Sequence, residues 1–304
     1  RSAICVDTSG NLLGRAHRDF RTVTGARFIG GLGRSERLVA ETVRAALPAP
    51  LDVSALHVCG PLPDKLVPEL GQVQSISHHV VLEKDGPMAL AGTRSGIVVL
   101  AGTGAFAYGR RPDGQEILFD GIGPLYGDYG SGFQIGLAGI RAAGRSAWSK
   151  RYETALAGPI LEACREQSGM GSEFNMVTYM SDIRDRSEIA ALARIVDRVA
   201  NAGDPTAVKI IRGAAADMAE TVRCVVDHLG LAREEMPMIG TGSVATNSRL
   251  YWSALSEGVH AFAPGLTPTL PTVPAVFGLC LALAARVGVD SPEFRSTLLA
   301  KANG

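Results

Sequence analysis

No sustained run of one charge sign occurs in this sequence: thirty basic and thirty acidic residues cancel to a formal charge of zero over 304 residues. Nucleic acid and anionic membranes are recognised through basic stripes or patches. Their absence excludes those partners and leaves a small molecule, with or without a second copy of the chain. Cysteine is sparse as well. Cys5, Cys59, Cys164, Cys224 and Cys280 stand singly, without a Cys-x-x-Cys pair or a Cys/His cluster of metal-ligand spacing. A disulfide framework and a zinc module are excluded, and each cysteine is expected to be a small buried hydrophobe in a reduced protein. Long hydrophobic runs are also missing. The longest charge-free stretch, 261–285, is broken by Pro264, Pro268, Pro271 and Pro274, so it predicts a core helix and no membrane span. No basic-then-apolar leader opens the sequence, and a cytoplasmic location is expected.

Glycine is plentiful, with 36 residues gathered in a few clusters. Two apolar runs, 3–6 and 12–16, flank the polar turn Asp7-Thr8-Ser9-Gly10-Asn11 and predict a β-hairpin. Residues 35–46 carry Leu38, Val39, Val43 and Leu47 at helical spacing. Strands are predicted at 55–59 and 80–82, with His78 and His79 just before the second. Asp85 follows, at the start of a helix over 86–91. The dense apolar segment 96–101 predicts a strand, followed by Gly102-Thr103-Gly104 and strands over 105–110 and 116–119. Beyond a glycine-rich segment, amphipathic helices are predicted at 187–202 and 206–229. A strand at 236–239 then runs into Gly240-Thr241-Gly242-Ser243. A helix over 248–256, a strand over 259–262 and a helix over 273–287 close the pattern. Trp148 and Trp252 are read as packing residues. This order suits an α/β protein of two lobes with a cleft between them: residues 1–98 form the first, residues 99–287 the second, and 288–304 are free to pack back on the first.

Three loops bear on chemistry. In Gly102-Thr103-Gly104, glycines let backbone N–H groups approach an anion, and the threonine hydroxyl can donate to it; a tight hairpin turn uses the same residues. Gly240–Ser243 repeats the arrangement before a helix, where a nucleotide phosphate or ribose is well placed; a capped turn is the alternative. Five glycines fall within Gly121–Gly132, at a cost in chain entropy that a plain loop need not incur. Asp128 among them suits a polyol hydroxyl or, alternatively, a helix N-cap. Asp85, at a strand's end and a helix's start, lies where α/β folds place their chemistry; an N-cap is its alternative too.

The order of Asp85, Gly102-Thr103-Gly104, Gly121-Ile122-Gly123, Gly127-Asp128-Tyr129-Gly130-Ser131-Gly132 and Gly240-Thr241-Gly242-Ser243 resembles the BadF/BadG/BcrA/BcrD ATPase family, in its N-acetylglucosamine kinase-like branch. The resemblance implies two ribonuclease-H-like, actin-type lobes that use ATP and Mg²⁺ to phosphorylate an amino sugar, with homodimers common among such kinases. It implies Asp85 as general base, Gly102, Thr103 and Gly104 as a phosphate loop, Gly242, Ser243 and Ser248 flanking adenosine, and Gly121, Ile122, Gly123 and Asp128 lining the sugar. No residue is assigned to a metal. Five features depart from the family: its opening Asp-Gly-Gly-Gly-Thr loop has no counterpart here, residues 26–28 replace a sugar-contacting Asn, Ile122 stands for Trp, Tyr129 stands for an acidic residue, and Ala105 stands for Ser. Two other outcomes therefore stay open, a non-catalytic sugar or nucleotide sensor and an iron–sulfur activator ATPase of a radical dehydratase.

Overall fold

The computed structural model describes residues 2–17, 32–47, 51–59, 64–79, 84–173, 175–181 and 186–302. The chain forms two compact units, residues 1–93 with 271–304, and residues 94–270. The predicted strand at 80–82 and residues 26–28 lie outside the described residues.

The first unit begins with the expected hairpin, β1 (Ser2–Val6) antiparallel to β2 (Leu12–His17). Asp7 folds its turn, with Oδ1 accepting from Ser9 N (2.9 Å) and Asn11 N (2.8 Å), an Asx turn made possible by the short carboxylate. Helix α1 (Leu32–Ala46) follows. Four short strands then form two parallel pairs, β3 (Leu51–Val53) with β5 (Gly71–Val73) and β4 (Leu56–Cys59) with β6 (Ile76–His79). His78 and His79 are the last residues of β6, and His79 Nε2 sits 2.9 Å from His57 Nδ1 across the β4–β6 pair. Helix α2 (Asp85–Leu90) closes this part.

The second unit is built on one five-stranded sheet. β7 (Gly96–Ala101), β8 (Ala105–Arg110) and β9 (Glu116–Asp120) form an antiparallel meander. After it come α3 (Gly132–Ser146), α4 (Ala157–Ser168), α5 (Met176–Ser181), α6 (Arg186–Ala191), α7 (Ala193–Asn201) and α8 (Pro205–Leu229). β10 (Met236–Thr241), α9 (Ser243–Asn247), α10 (Arg249–His260) and β11 (Leu266–Thr269) complete the unit. The sheet order is β11-β10-β7-β8-β9, with β10 parallel to both β7 and β11. β7 is buried along nearly its whole length, as its unbroken Ile-Val-Val-Leu run requires of a central strand. α8 places Ile211, Ala215, Met218, Val222, Val225 and Leu229 in the core at helical spacing. The strand expected over 259–262 is instead the end of α10 and the turn that follows it, because Tyr251, Leu255 and Val259 repeat every four residues and all face the core.

The chain returns to the first unit with α11 (Ala275–Val287) and α12 (Pro292–Ala300). Phe277, Leu281, Ala284, Phe294 and Leu298 form its core, against which Ile4, Val6 and Leu90 pack. α2 meets α11 backbone to backbone: a Cβ at Gly86 would lie 3.0 Å from Leu279 N. That contact fixes the helix that Asp85 opens. No described helix is long and apolar enough to cross a membrane. Two expectations about packing fail: Cys224 is exposed, and Trp148 is 75% exposed, lying beside Arg145. Trp252 does pack against the core.

Candidate functional site

Because β7 and β10 are adjacent and parallel, their C-terminal ends leave the sheet side by side, with Thr241 paired to Leu100. Each end carries one Gly-Thr-Gly. After β7 the chain turns through Gly102–Gly104 into β8. After β10, which keeps Gly240 and Thr241 as its last residues, Gly242 turns into α9. Gly242 has φ 86°, and a Cβ there would lie 2.5 Å from Ala101 O and 2.9 Å from Gly102 N. Only glycine allows both that conformation and that approach, so the two turns rest backbone on backbone. Gly102 N donates to Gly104 O at 2.9 Å. Among the described residues, the backbone N–H groups of Thr103 and Gly104 have no acceptor within the protein. Two such amides in an exposed glycine turn form a concavity suited to an anion.

The glycine-rich segment closes on the same place. Gly132 N donates to Gly102 O at 2.7 Å, and Phe133 N to Thr103 O at 3.4 Å. Asp128 is 4% exposed, and its Oδ1 accepts from Ala105 N at 3.3 Å. A Cβ on Gly104 would lie 3.1 Å from each Asp128 carboxylate oxygen, and Arg186 Nη1 stands 3.9 Å from Oδ2. Asp128 therefore backs the first turn and does not cap a helix. The cap of α3 is Ser131, whose Oγ accepts from Gln134 N at 3.2 Å. Gly121 and Gly123 have positive φ, and Ile122 between them is 66% exposed.

Ser243 is the exposed first residue of α9. Ser248 is 5% exposed; its hydroxyl caps α10 by accepting from Tyr251 N at 3.2 Å and donates to Asp197. Gly102, Thr103, Gly104, Gly121, Gly123, Asp128, Gly242 and Ser243 thus belong to one unit and to one end of its sheet. Asp85 belongs to the other unit, where it is the first residue of α2, half-buried, with Lys84 at the cap position.

Sequence reasoning missed Asp120, whose carboxylate gathers the glycine-rich segment: Oδ1 accepts from Gly121 N (2.8 Å) and Asp128 N (2.6 Å), and Oδ2 from Tyr129 N (2.8 Å). It also missed Arg186 and Asp197, which reach the site from α6 and α7 and leave no local motif. On its flank lies a cavity of about 390 Å³, with Phe119, Ile122 and Tyr129 on one side and Asp217, Thr221 and Cys224 on the other.

The model of the BadF/BadG/BcrA/BcrD ATPase family matches residues 2–274. An N-acetylmuramic acid/N-acetylglucosamine kinase of Clostridium acetobutylicum is 32% identical over 171 residues, 55% of this chain and 55% of that protein. An N-acetyl-D-glucosamine kinase of Dictyostelium discoideum is 30% identical over 167 residues, 54% of this chain and 51% of that protein. The chain spans about half the length of these curated relatives. A solved structure of a candidate N-acetylglucosamine kinase from Chromobacterium violaceum superposes with TM-score 0.58 at 19% identity, over 90% of both chains. One from Porphyromonas gingivalis gives 0.58 at 17% identity, over 93% of this chain and 94% of that one. At such identities the likeness shows the fold, an α/β fold of the actin-like ATPase class.

Proposed function

This chain belongs to the BadF/BadG/BcrA/BcrD ATPase family, and we propose that it transfers the γ-phosphoryl group of ATP to a hydroxyl of an amino sugar of the N-acetylglucosamine or glucosamine type. The observation that carries this reading is the pair of Gly-Thr-Gly turns in backbone contact at the ends of β7 and β10, with two amides left open toward an anion. The named activities of the two curated relatives support it.

In this reading Gly102, Thr103 and Gly104 hold nucleotide phosphates through backbone N–H and the threonine hydroxyl. Gly242 and Ser243 flank the adenosine, and Ser248 holds the start of α10 beside them. Gly121, Ile122, Gly123 and Asp128 line the sugar. Asp85 accepts the proton of the attacking hydroxyl, which leaves the oxygen able to bond to phosphorus while ADP departs. Positioning and charge stabilisation carry most of the catalysis in phosphoryl transfer. Among the described residues no three His, Cys, Asp or Glu side chains are set to hold a metal ion. Mg²⁺ would supply charge neutralisation at the nucleotide phosphates that the turn of Gly102, Thr103 and Gly104 would hold. A cytoplasmic protein handling small metabolites fits this chemistry.

The test is ADP release with Mg²⁺-ATP and each of the two sugars. Sugar-dependent release is expected, lowered roughly 10²–10⁴-fold in Asp85→Asn with nucleotide affinity kept. Turnover indifferent to sugar would sink the reading. Calorimetry that finds sugar binding but no Mg²⁺-ATP binding would replace it with the sensor.

A further inference from the structure

Resting on the kinase reading above, we propose that Asp120 is a positioning residue for phosphoryl transfer: its carboxylate clamps the glycine-rich loop and through it seats Asp128 behind the phosphate turn. Asp120 is the last residue of β9 and stands at φ 71°, a conformation that non-glycine residues enter only at a cost. Such a conformation persists where surrounding contacts over-determine it. Here they are three backbone N–H groups converging on one carboxylate, from Gly121, Asp128 and Tyr129. Bonds to an ionised acceptor are about twice as strong as neutral ones.

The outer part of this loop has few other supports. Its large side chains Ile122, Leu125, Tyr126 and Tyr129 are 66%, 91%, 79% and 51% exposed, so burial acts only where the loop re-enters the unit, at Gly127, Asp128 and Gly130. Among the described residues its other hydrogen bonds include Gly123 O accepting from Tyr126 N (3.2 Å) and Gly127 N (2.8 Å), Asp128 O accepting from Ser131 N (3.1 Å), and the Gln134 side chain donating to Pro124 O (3.0 Å) and Gly127 O (3.3 Å). The loop passes so close to Asp120 that a Cβ on Gly127 would overlap its carboxylate. The consequence reaches the turn. Asp128, held by its N–H at 2.6 Å in its own positive-φ conformation, directs its carboxylate to Ala105 N and against Gly104. Asp120, Asp128 and the turn therefore form one chain of contacts, and the first link sets the last.

Three variants of the whole chain test this. Asp120→Gly restores backbone freedom and removes both acceptor oxygens, and with them all three hydrogen bonds. Asp120→Asn tolerates the same φ and keeps one acceptor oxygen. Gly127→Ala leaves Asp120 in place and displaces its carboxylate. Hydrogen exchange is followed without substrates, and kcat and both KM values are measured with Mg²⁺-ATP and sugar. In Asp120→Gly we expect amide exchange over 121–131 to rise on the order of tenfold or more, the loss of bonds to a charged group, with β7 and β10 unchanged. The value of kcat should fall by a similar factor, with Asn intermediate and Gly127→Ala resembling Gly. Exchange in the loop equal to wild type overturns the clamp, as does a uniform rise across the unit. A loosened loop with unchanged kcat overturns its role in transfer. A wild-type protein without sugar-dependent turnover would sink the kinase reading instead, and the loop's exchange would still decide the clamp. Should Asp120→Gly fail to fold, Asp120→Asn and Gly127→Ala decide the question by the same measurements.

Discussion

Gly130 stands at φ 78°, and a Cβ there would come within 2.6 Å of Ala214 O, 2.7 Å of the Tyr251 hydroxyl and 2.9 Å of Met218 Cβ. Backbone strain and overlap with α8 act together, so Gly130→Ala should destabilise the protein by about 3 kcal/mol. Denaturant titration checks this; a loss below about 1 kcal/mol would mean that α8 yields easily. Glycine carries this kind of information openly, since the cluster it forms can be read without a structure. Asp120 does not. An aspartate after an apolar strand and before a glycine has the sequence signature of an ordinary turn. Only the fold brings the amides of residues 128 and 129 back to it. Asp128 stands out in the sequence as a candidate position, yet its neighbours do not, because Ala105 and Arg186 reach it from distant segments.

Elements were most legible where a local signal coincided with the tertiary demand. Strands β7 to β9 and helix α8 follow from apolar runs and helical periodicity, and their ends from capping residues. Asp204 caps α8 in this way: its carboxylate accepts from Ala207 N (2.8 Å), and also from Ala155 N (2.9 Å) and the Thr154 hydroxyl (2.9 Å). Partial burial pushes that carboxyl up, but the hydrogen bonds outweigh burial and hold it below the usual range. A carboxyl depressed in the folded state stabilises it above the unfolded pKa and ceases to do so as pH falls through the folded value. Asp204→Ala should therefore cost about 1–2 kcal/mol at neutral pH. The gap between variant and wild type should begin to narrow below about pH 4, the carboxyl's unfolded value, and go on narrowing as pH falls toward the lower folded value. Urea melts at about pH 7 and about pH 3, on either side of that value, measure both, and a gap independent of pH would remove the charged cap from the account. Where a local signal was ambiguous, as with Val259 to Phe262, β-branched and aromatic composition suggested a strand, while helical spacing from Tyr251 decided the outcome.

At the scale of the molecule, the two units differ in how the chain supplies them. The unit of residues 94–270 is continuous, owns a five-stranded sheet, and has a core from Ile97 to Leu266 drawn wholly from its own residues. The other unit needs both ends of the chain: Ile4, Val6 and Leu90 pack on a cluster formed by α11 and α12. Its described strands stay in three two-stranded sheets, and two-stranded pairs are marginal without a helix packed on them. Autonomy follows from having a complete core within one continuous stretch. Residues 94–270 expressed alone should therefore give a single cooperative thermal transition, with slow exchange in β7, β8 and β10. The Asp120 clamp should survive in that fragment, since every partner of its carboxylate lies between residues 121 and 129. Residues 1–93 without 271–304 should not fold, because they lose α11 and α12, the helices that cover α2 and β1. Circular dichroism and exchange on both fragments separate the outcomes. A 94–270 fragment with helical signal but no cooperative melt would show that its sheet and core depend on the rest of the chain.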